Sequence, residues 1–216
     1  CPYCTRVELV LGWHNISYDR IVYNYSDIDG PTQLIGKKML PVFEWSDENN
    51  ETQVLPESAD IINMLEKFCG RERWILFPKI KGRKDLNAWK NRLRKVLHPL
   101  TRPRILKMPI ADFASEEDRQ YQMEKYISRG FDYDAAEART DELISDAEKI
   151  LAEFPEMLLG ELTLNESGWS WDDLHVLPSL RLLTCVSGIE WSPETRRYME
   201  TAFNAANISI FSDFAC

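Results

Sequence analysis

The chain has 216 residues, 44% hydrophobic, 28% charged and 11% aromatic, with a mean hydropathy of −0.38, which excludes wholesale disorder, collagen and low-complexity arrays. A net charge of −9 and a pI near 5.0 argue against nucleic acid or an anionic membrane as a partner, and neither is expected. No apolar run long enough to cross a bilayer and no basic–apolar leader is visible, and five cysteines cannot all pair within one chain, so a reducing, cytoplasmic location is expected.

The first elements alternate between helix and strand. From Cys4 to His14, the residues Val7, Val10, Leu11 and His14 recur at helical spacing, with Asn15 as a stop. Ile16 to Tyr23 is rich in β-branched and aromatic residues and reads as a strand. A turn at Asp29, Gly30 and Pro31 leads into a short helix that Gly36 ends. Pro41–Trp45 and Thr52–Leu55, separated by a turn at Asp47–Asn50, read as a hairpin. Ser58–Phe68 follows as a helix with Ile61, Ile62, Leu65 and Phe68 on one side. Such alternation defines a small α/β unit over residues 1–70.

Residues 71–82 read as a linker, and the strand signal nearly vanishes beyond them. Leu86, Trp89, Leu93, Val96 and Leu97 form a helical stripe that Pro99 and Pro103 are expected to end or kink. Leu143, Ala147, Ile150, Leu151 and Phe154 form another. Leu174–Val186 is apolar nearly all round, as suits a helix at the centre of a bundle, and Glu194–Ala206 reads as the last helix. Ser170 and Asp173 have the spacing of a capping box, with Trp169 and Leu174 placed as a hydrophobic staple. Residues 83–216 are therefore expected to be an all-α domain.

The chemistry concentrates at Cys1-Pro2-Tyr3-Cys4. Two cysteines three apart at a helix start lie on one side of its first turn. The first faces free backbone N–H groups and the positive end of the helix dipole, which favour thiolate. Pro2 suits the first helical position because it has no N–H to leave unpaired. Thiolate is the attacking species in disulfide exchange, so the pair reads as a nucleophile, Cys1, and a resolving partner, Cys4. A zinc site is disfavoured: there is no second CxxC, and His14, His98 and His175 are scattered. A purely structural disulfide is disfavoured by the reducing compartment. Cys69, Cys185 and Cys216 read as ordinary reduced thiols, Cys185 as a buried one. A cis bond at Leu40-Pro41 would set the Leu40 backbone beside the thiol. Pro56-Glu57-Ser58 opens a helix, where amides and a hydroxyl make a carboxylate site; simple capping by Glu57 or Ser58 is the plainer alternative.

CPYC, Leu40-Pro41, Pro56-Glu57-Ser58, the capped helix, Gly188-Ile189-Glu190-Trp191 and the C-terminal tail together resemble the glutaredoxins, and over essentially the full length the larger glutaredoxin 2 family. The resemblance implies a thioredoxin-like N-terminal domain and an all-α C-terminal domain, a glutathione-transferase-like architecture. It implies a dithiol disulfide oxidoreductase acting on protein disulfides and glutathione mixed disulfides, with glutathione as reducing co-substrate and no tightly bound cofactor or metal. Cys1 and Cys4 would be catalytic. Tyr3, Leu40, Pro41, Glu57 and Ser58 would hold glutathione, the last two at its γ-glutamyl end. A monomer is expected. Because the family carries a strand before CPYC, about eight to ten further residues are expected ahead of Cys1. The competing readings are a glutathione transferase acting on electrophiles, for which CPYC is more than the task requires, and a non-catalytic binding module, which the two intact cysteines disfavour.

Overall fold

The computed structural model describes residues 1–216. Helix α1 (Pro2–Trp13) opens the chain, and Asn15 ends it with a positive φ of 52°. Helix α2 (Asp29–Ile35) stops at Gly36, whose φ of 75° is the left-handed conformation that closes a helix. Strands β1 (Val42–Ser46) and β2 (Thr52–Pro56) form an antiparallel hairpin in which Val42 faces Pro56 and Ser46 faces Thr52. Helix α3 (Ser58–Cys69) follows; Ile61, Ile62 and Leu65 are buried as expected, but Phe68 is exposed, its ring edge-on to Trp45. These elements make the small-sheet N-terminal half of a glutathione-transferase-like architecture.

Ile16–Tyr23 is not a strand. The sheet contains only β1 and β2, and β propensity without a neighbouring strand to complete the ladder does not make one. The segment crosses the surface with Tyr18, Ile21 and Val22 exposed.

The second half is all helical: α4 (Lys84–Ile105), α5 (Glu116–Ile127), α6 (Tyr133–Ala138), α7 (Thr140–Ala152), α8 (Trp171–Leu183) and α9 (Pro193–Ala205). Pro99 and Pro103 do not end α4, which runs through both. Each removes one backbone donor, but Leu86, Trp89, Leu93, Val96, Leu97 and Leu100 are buried along the helix, so packing outweighs the lost bonds. Helices α5 and α6 lie where the sequence shows no apolar stripe. Helix α5 is held at its start instead: Ser115 and Asp118 form a capping box, and Asp118 also accepts from the Ser26 N–H (2.9 Å) and hydroxyl (2.7 Å). Burial raises the Asp118 carboxyl, but these hydrogen bonds outweigh it and hold it well below the usual carboxylate range. The bond couples α5 to the loop before α2.

One contiguous apolar core spans both halves. Trp13 stacks on Trp169 with centroids 4.8 Å apart, and its indole N–H donates to the Ala202 carbonyl in α9 (2.9 Å). Gly12 lies so close to Ala206 that a Cβ there would sit 2.4 Å from the Ala206 carbonyl oxygen. Between the halves, Phe77 is pinned to the start of α8, donating to Trp169 O (2.7 Å) and accepting from Trp171 N–H (3.1 Å).

The Ser170–Asp173 box has more partners than a surface cap has. Asp173 accepts from the Ser170 N–H (2.8 Å) and hydroxyl (2.7 Å), from Leu164 N–H (3.0 Å) and from the buried Tyr198 hydroxyl (2.9 Å). Trp169, placed as a staple, packs against the Trp13 and Tyr198 rings.

Two expectations follow for stability. Asp173→Ala strands several buried donors and not one exposed cap, so urea unfolding should show a loss of about 3 kcal/mol or more, against ~1 kcal/mol for an ordinary cap. Gly12→Ala would gain about 1 kcal/mol from helix propensity alone. The clash with Ala206 backbone should reverse that sign, lowering stability by about 1–3 kcal/mol in the same measurement.

Candidate active site

The fold brings together residues that are far apart in sequence. Cys1 is the N-cap of α1, and its sulfur accepts from the Cys4 N–H at 3.4 Å. A helix-start amide aimed at the sulfur, together with the helix dipole, favours the thiolate. Cys1 is exposed and Cys4 is largely covered, and both thiols are free. Burial above all pushes the Cys4 thiol up to about 11. At neutral pH the covered Cys4 sulfur is therefore held protonated.

Leu40–Pro41 is a cis peptide, and the Leu40 carbonyl oxygen lies 3.9 Å from Cys1 Sγ. The loop feeds directly into β1, and the hairpin register sets Val42 opposite Pro56. That pairing carries the Leu40–Pro41 turn and the Glu57–Ser58 turn to the same end of the hairpin. Glu57 has a φ of 70°, an uncommon backbone for a side chain of that size, and no side chain caps α3. The plain capping alternative for Glu57 and Ser58 is thus not what the chain does: the first amides of α3 are left without a side-chain partner. Ser58 is buried, Glu57 exposed, and Tyr3 is exposed beneath the Arg6 guanidinium, 4.9 Å from its ring centroid.

The sequence did not signal how the helical domain enters the site. Thr5 donates its hydroxyl to the Cys1 carbonyl (3.2 Å) and receives a bond from Arg181 Nη1 in α8 (3.2 Å). Arg181 also donates to the Ser209 carbonyl (2.9 Å) and lies 4.3 Å from the Phe211 ring centroid. The start of α1 is thereby fixed from the C-terminal domain. No pattern within a few residues could have revealed a partner so distant in the chain. Glu8, buried one turn beyond Cys4 and paired with Arg20 (2.9 Å), was within reach of helical spacing. No group of three or more histidine, cysteine or acidic side chains is placed to hold a metal ion, and no helix is long and apolar enough to cross a membrane.

An exposed thiol at a helix start, a covered second thiol one turn on and a helical domain that holds the first turn of their helix through Thr5 define a dithiol–disulfide oxidoreductase of glutathione-transferase-like architecture. A family model described as "Glutaredoxin 2, C terminal domain" matches residues 85–215, and "Glutathione S-transferase, N-terminal domain" matches residues 1–67. The chain belongs to the glutaredoxin 2 family and is an enzyme of the glutaredoxin class. Glutaredoxin 2 of Escherichia coli (strain K12) is 25% identical over 217 residues, covering 100% of this chain and 96% of that protein. The crystal structure of glutaredoxin 2 from Salmonella typhimurium in complex with glutathione superposes with a TM-score of 0.89 at 26% identity, covering 100% of this chain and 95% of that one. FzlA from C. crescentus, at 17% identity and a TM-score of 0.57 over 100% of this chain and 91% of that one, shares the fold alone.

Proposed function

We propose that this glutaredoxin reduces disulfide-bearing and glutathionylated proteins, with glutathione as its reducing co-substrate and Cys1 and Cys4 as the working pair. The observation that carries the reading is the contrast between the two sulfurs: one exposed at a helix start with an amide aimed at it, the other covered and raised. Cys1 thiolate attacks the substrate disulfide; a bond forms to one sulfur while the other leaves as a thiolate with the electron pair. If the adduct is glutathione, a second glutathione thiolate displaces it, yielding glutathione disulfide and restoring Cys1. If the adduct is a protein, Cys4 thiolate attacks Cys1 Sγ, the substrate sulfur leaves as a thiol, and two glutathiones in turn reduce the resulting Cys1–Cys4 disulfide, leaving as glutathione disulfide.

Glutathione would lie in the corner between α1, the Leu40–Pro41 turn and the start of α3. Its cysteinyl backbone would pair with Leu40, Pro41 would shape the turn, and Tyr3 would cover the opening. The uncapped amides of α3 and the Ser58 hydroxyl suit the γ-glutamyl carboxylate, and Glu57 suits its ammonium group. The Salmonella relative's complex with glutathione supports this assignment. In our reading, residues 1–70 form the glutaredoxin domain, 71–82 the linker and 83–216 the helical domain. The enzyme acts as a monomer in the cytoplasm, where all five thiols, free in the fold, stay reduced.

Cys1→Ser should abolish turnover of both substrate types. Cys4→Ser should retain reduction of a small glutathione mixed disulfide and lose most reduction of a protein disulfide. Equal residual activity in the two variants would reject the assigned roles.

Ser58→Ala tests the glutathione corner. A hydrogen bond to a charged group contributes about 1.5–3 kcal/mol, so the glutathione concentration for half-maximal turnover should rise ten-fold or more, with little change in the thermal melt. An unchanged requirement would remove Ser58 from the site. Turnover supported by thioredoxin reductase and not by glutathione would overturn the co-substrate assignment.

A further inference from the structure

Glu8 has no part in binding or exchange as described above, yet it is buried beside the thiol that must be activated last. On α1 it follows Cys4 by four residues, so the two side chains share a face with Cβ atoms about 5–6 Å apart. Its carboxylate is almost wholly covered, and its one ion-pair partner, Arg20, comes from the extended surface segment and is more than half exposed (2.9 Å; side chains 11% and 56% exposed). We propose that Glu8 acts through Cys4 as a positioning residue that sets the balance between the enzyme's two routes of turnover, with Arg20 as its counter-ion. The inference rests on the dithiol reading and adds to it a device for choosing between glutathione and protein substrates.

The chemistry it governs is the resolving step. Cys4 must lose its proton to solvent; the resulting thiolate attacks Cys1 Sγ of the mixed disulfide. A Cys1–Cys4 bond forms, the Cys1–substrate sulfur bond breaks, and the substrate sulfur leaves with the electron pair and takes up a proton. The two cysteines are oxidised by two electrons and the substrate disulfide is reduced by them. A negative charge next to Cys4 opposes its ionisation, so the glutathione adduct on Cys1 persists until a second glutathione arrives. The charged side chains facing Cys4 are Glu8 on α1, Asp112 from the short helical turn before α5 and Arg20 from the surface segment. Burial raises the thiol most, Glu8 raises it ahead of Asp112, and Arg20 lowers it. Tyr18 and Arg181 face the Glu8–Arg20 pair from the surface segment and from α8.

Substitutions of the two partners should act with opposite signs. In a Cys1→Ser background, the pH dependence of Cys4 alkylation by iodoacetamide, read by mass spectrometry of the α1 peptide, reports the Cys4 titration directly. Glu8→Gln should move its midpoint down by about one pH unit, Glu8→Asp should keep it near that of the parent, and Arg20→Gln should move it up. With Cys1 restored, a one-unit fall raises the thiolate fraction while lowering its intrinsic nucleophilicity. The ratio of protein-disulfide to mixed-disulfide turnover should therefore rise about three-fold in Glu8→Gln and fall in Arg20→Gln. Unmoved midpoints, or shifts in the same direction for Glu8→Gln and Arg20→Gln, would overturn the proposal. Should Glu8→Gln fail to fold by circular dichroism, the exposed Arg20 site decides alone: no upward shift defeats it. Because alkylation needs neither glutathione nor turnover, failure here is distinct from failure of the co-substrate assignment.

Discussion

The site depends on the double burial of α1. Its residues Val7, Leu9, Val10 and Leu11 are buried, and the helix packs against α3 on one side and α8 and α9 on the other. Burial of a side chain of this size stabilises by about 1.5–3 kcal/mol each, against a whole-protein stability of about 5–15 kcal/mol. Moving α1 is therefore comparable to unfolding the protein. The first turn, where Cys1 and Cys4 sit, inherits that rigidity although Cys1 itself is exposed. An exposed sulfur is thus held on a fixed amide without being enclosed.

From this one helix the rest of the corner is placed by short connections. Packing of α1 on α3 sets the second helix start beside the first, and the hairpin joins the Leu40–Pro41 turn to the turn at Glu57 through a single register. A slip of one residue in that register would invert every side chain on β2 and carry Glu57 away from Leu40. The hairpin, though a minimal sheet, therefore acts as the gauge that spaces the two halves of the corner.

What was legible beforehand follows from where the information lies. Local patterns revealed α1, α3, α4 and α7 by an apolar stripe on a continuous segment, and α8 by a segment apolar nearly all round. CPYC was legible because its chemistry needs only the spacing of one helical turn. Helices α5 and α6 were not legible: the buried residues of α5 are Asp118 and Gln122 and that of α6 is Ala136, so no stripe marks them. Ile16–Tyr23 misled for the opposite reason, since β-branched composition is a statement about side chains and a strand is a statement about neighbours. Arg181 reaching Thr5 and Asp118 reaching Ser26 are contacts between segments far apart in the chain, which periodicity cannot encode.

Those long-range contacts change what the helical domain is for. Architecture alone does not separate disulfide reduction from conjugation of glutathione, since the same fold carries both. The separation lies in the second thiol and in what surrounds it. Thr5 and Arg181 hold the first turn of α1, Asp112 contributes charge from the helical domain, and burial holds Cys4 as a thiol. A covered, protonated Cys4 is no defect in a dithiol enzyme. Two identical side chains one turn apart thus sit in different surroundings, one sulfur exposed at the helix start and the other covered and held as a thiol.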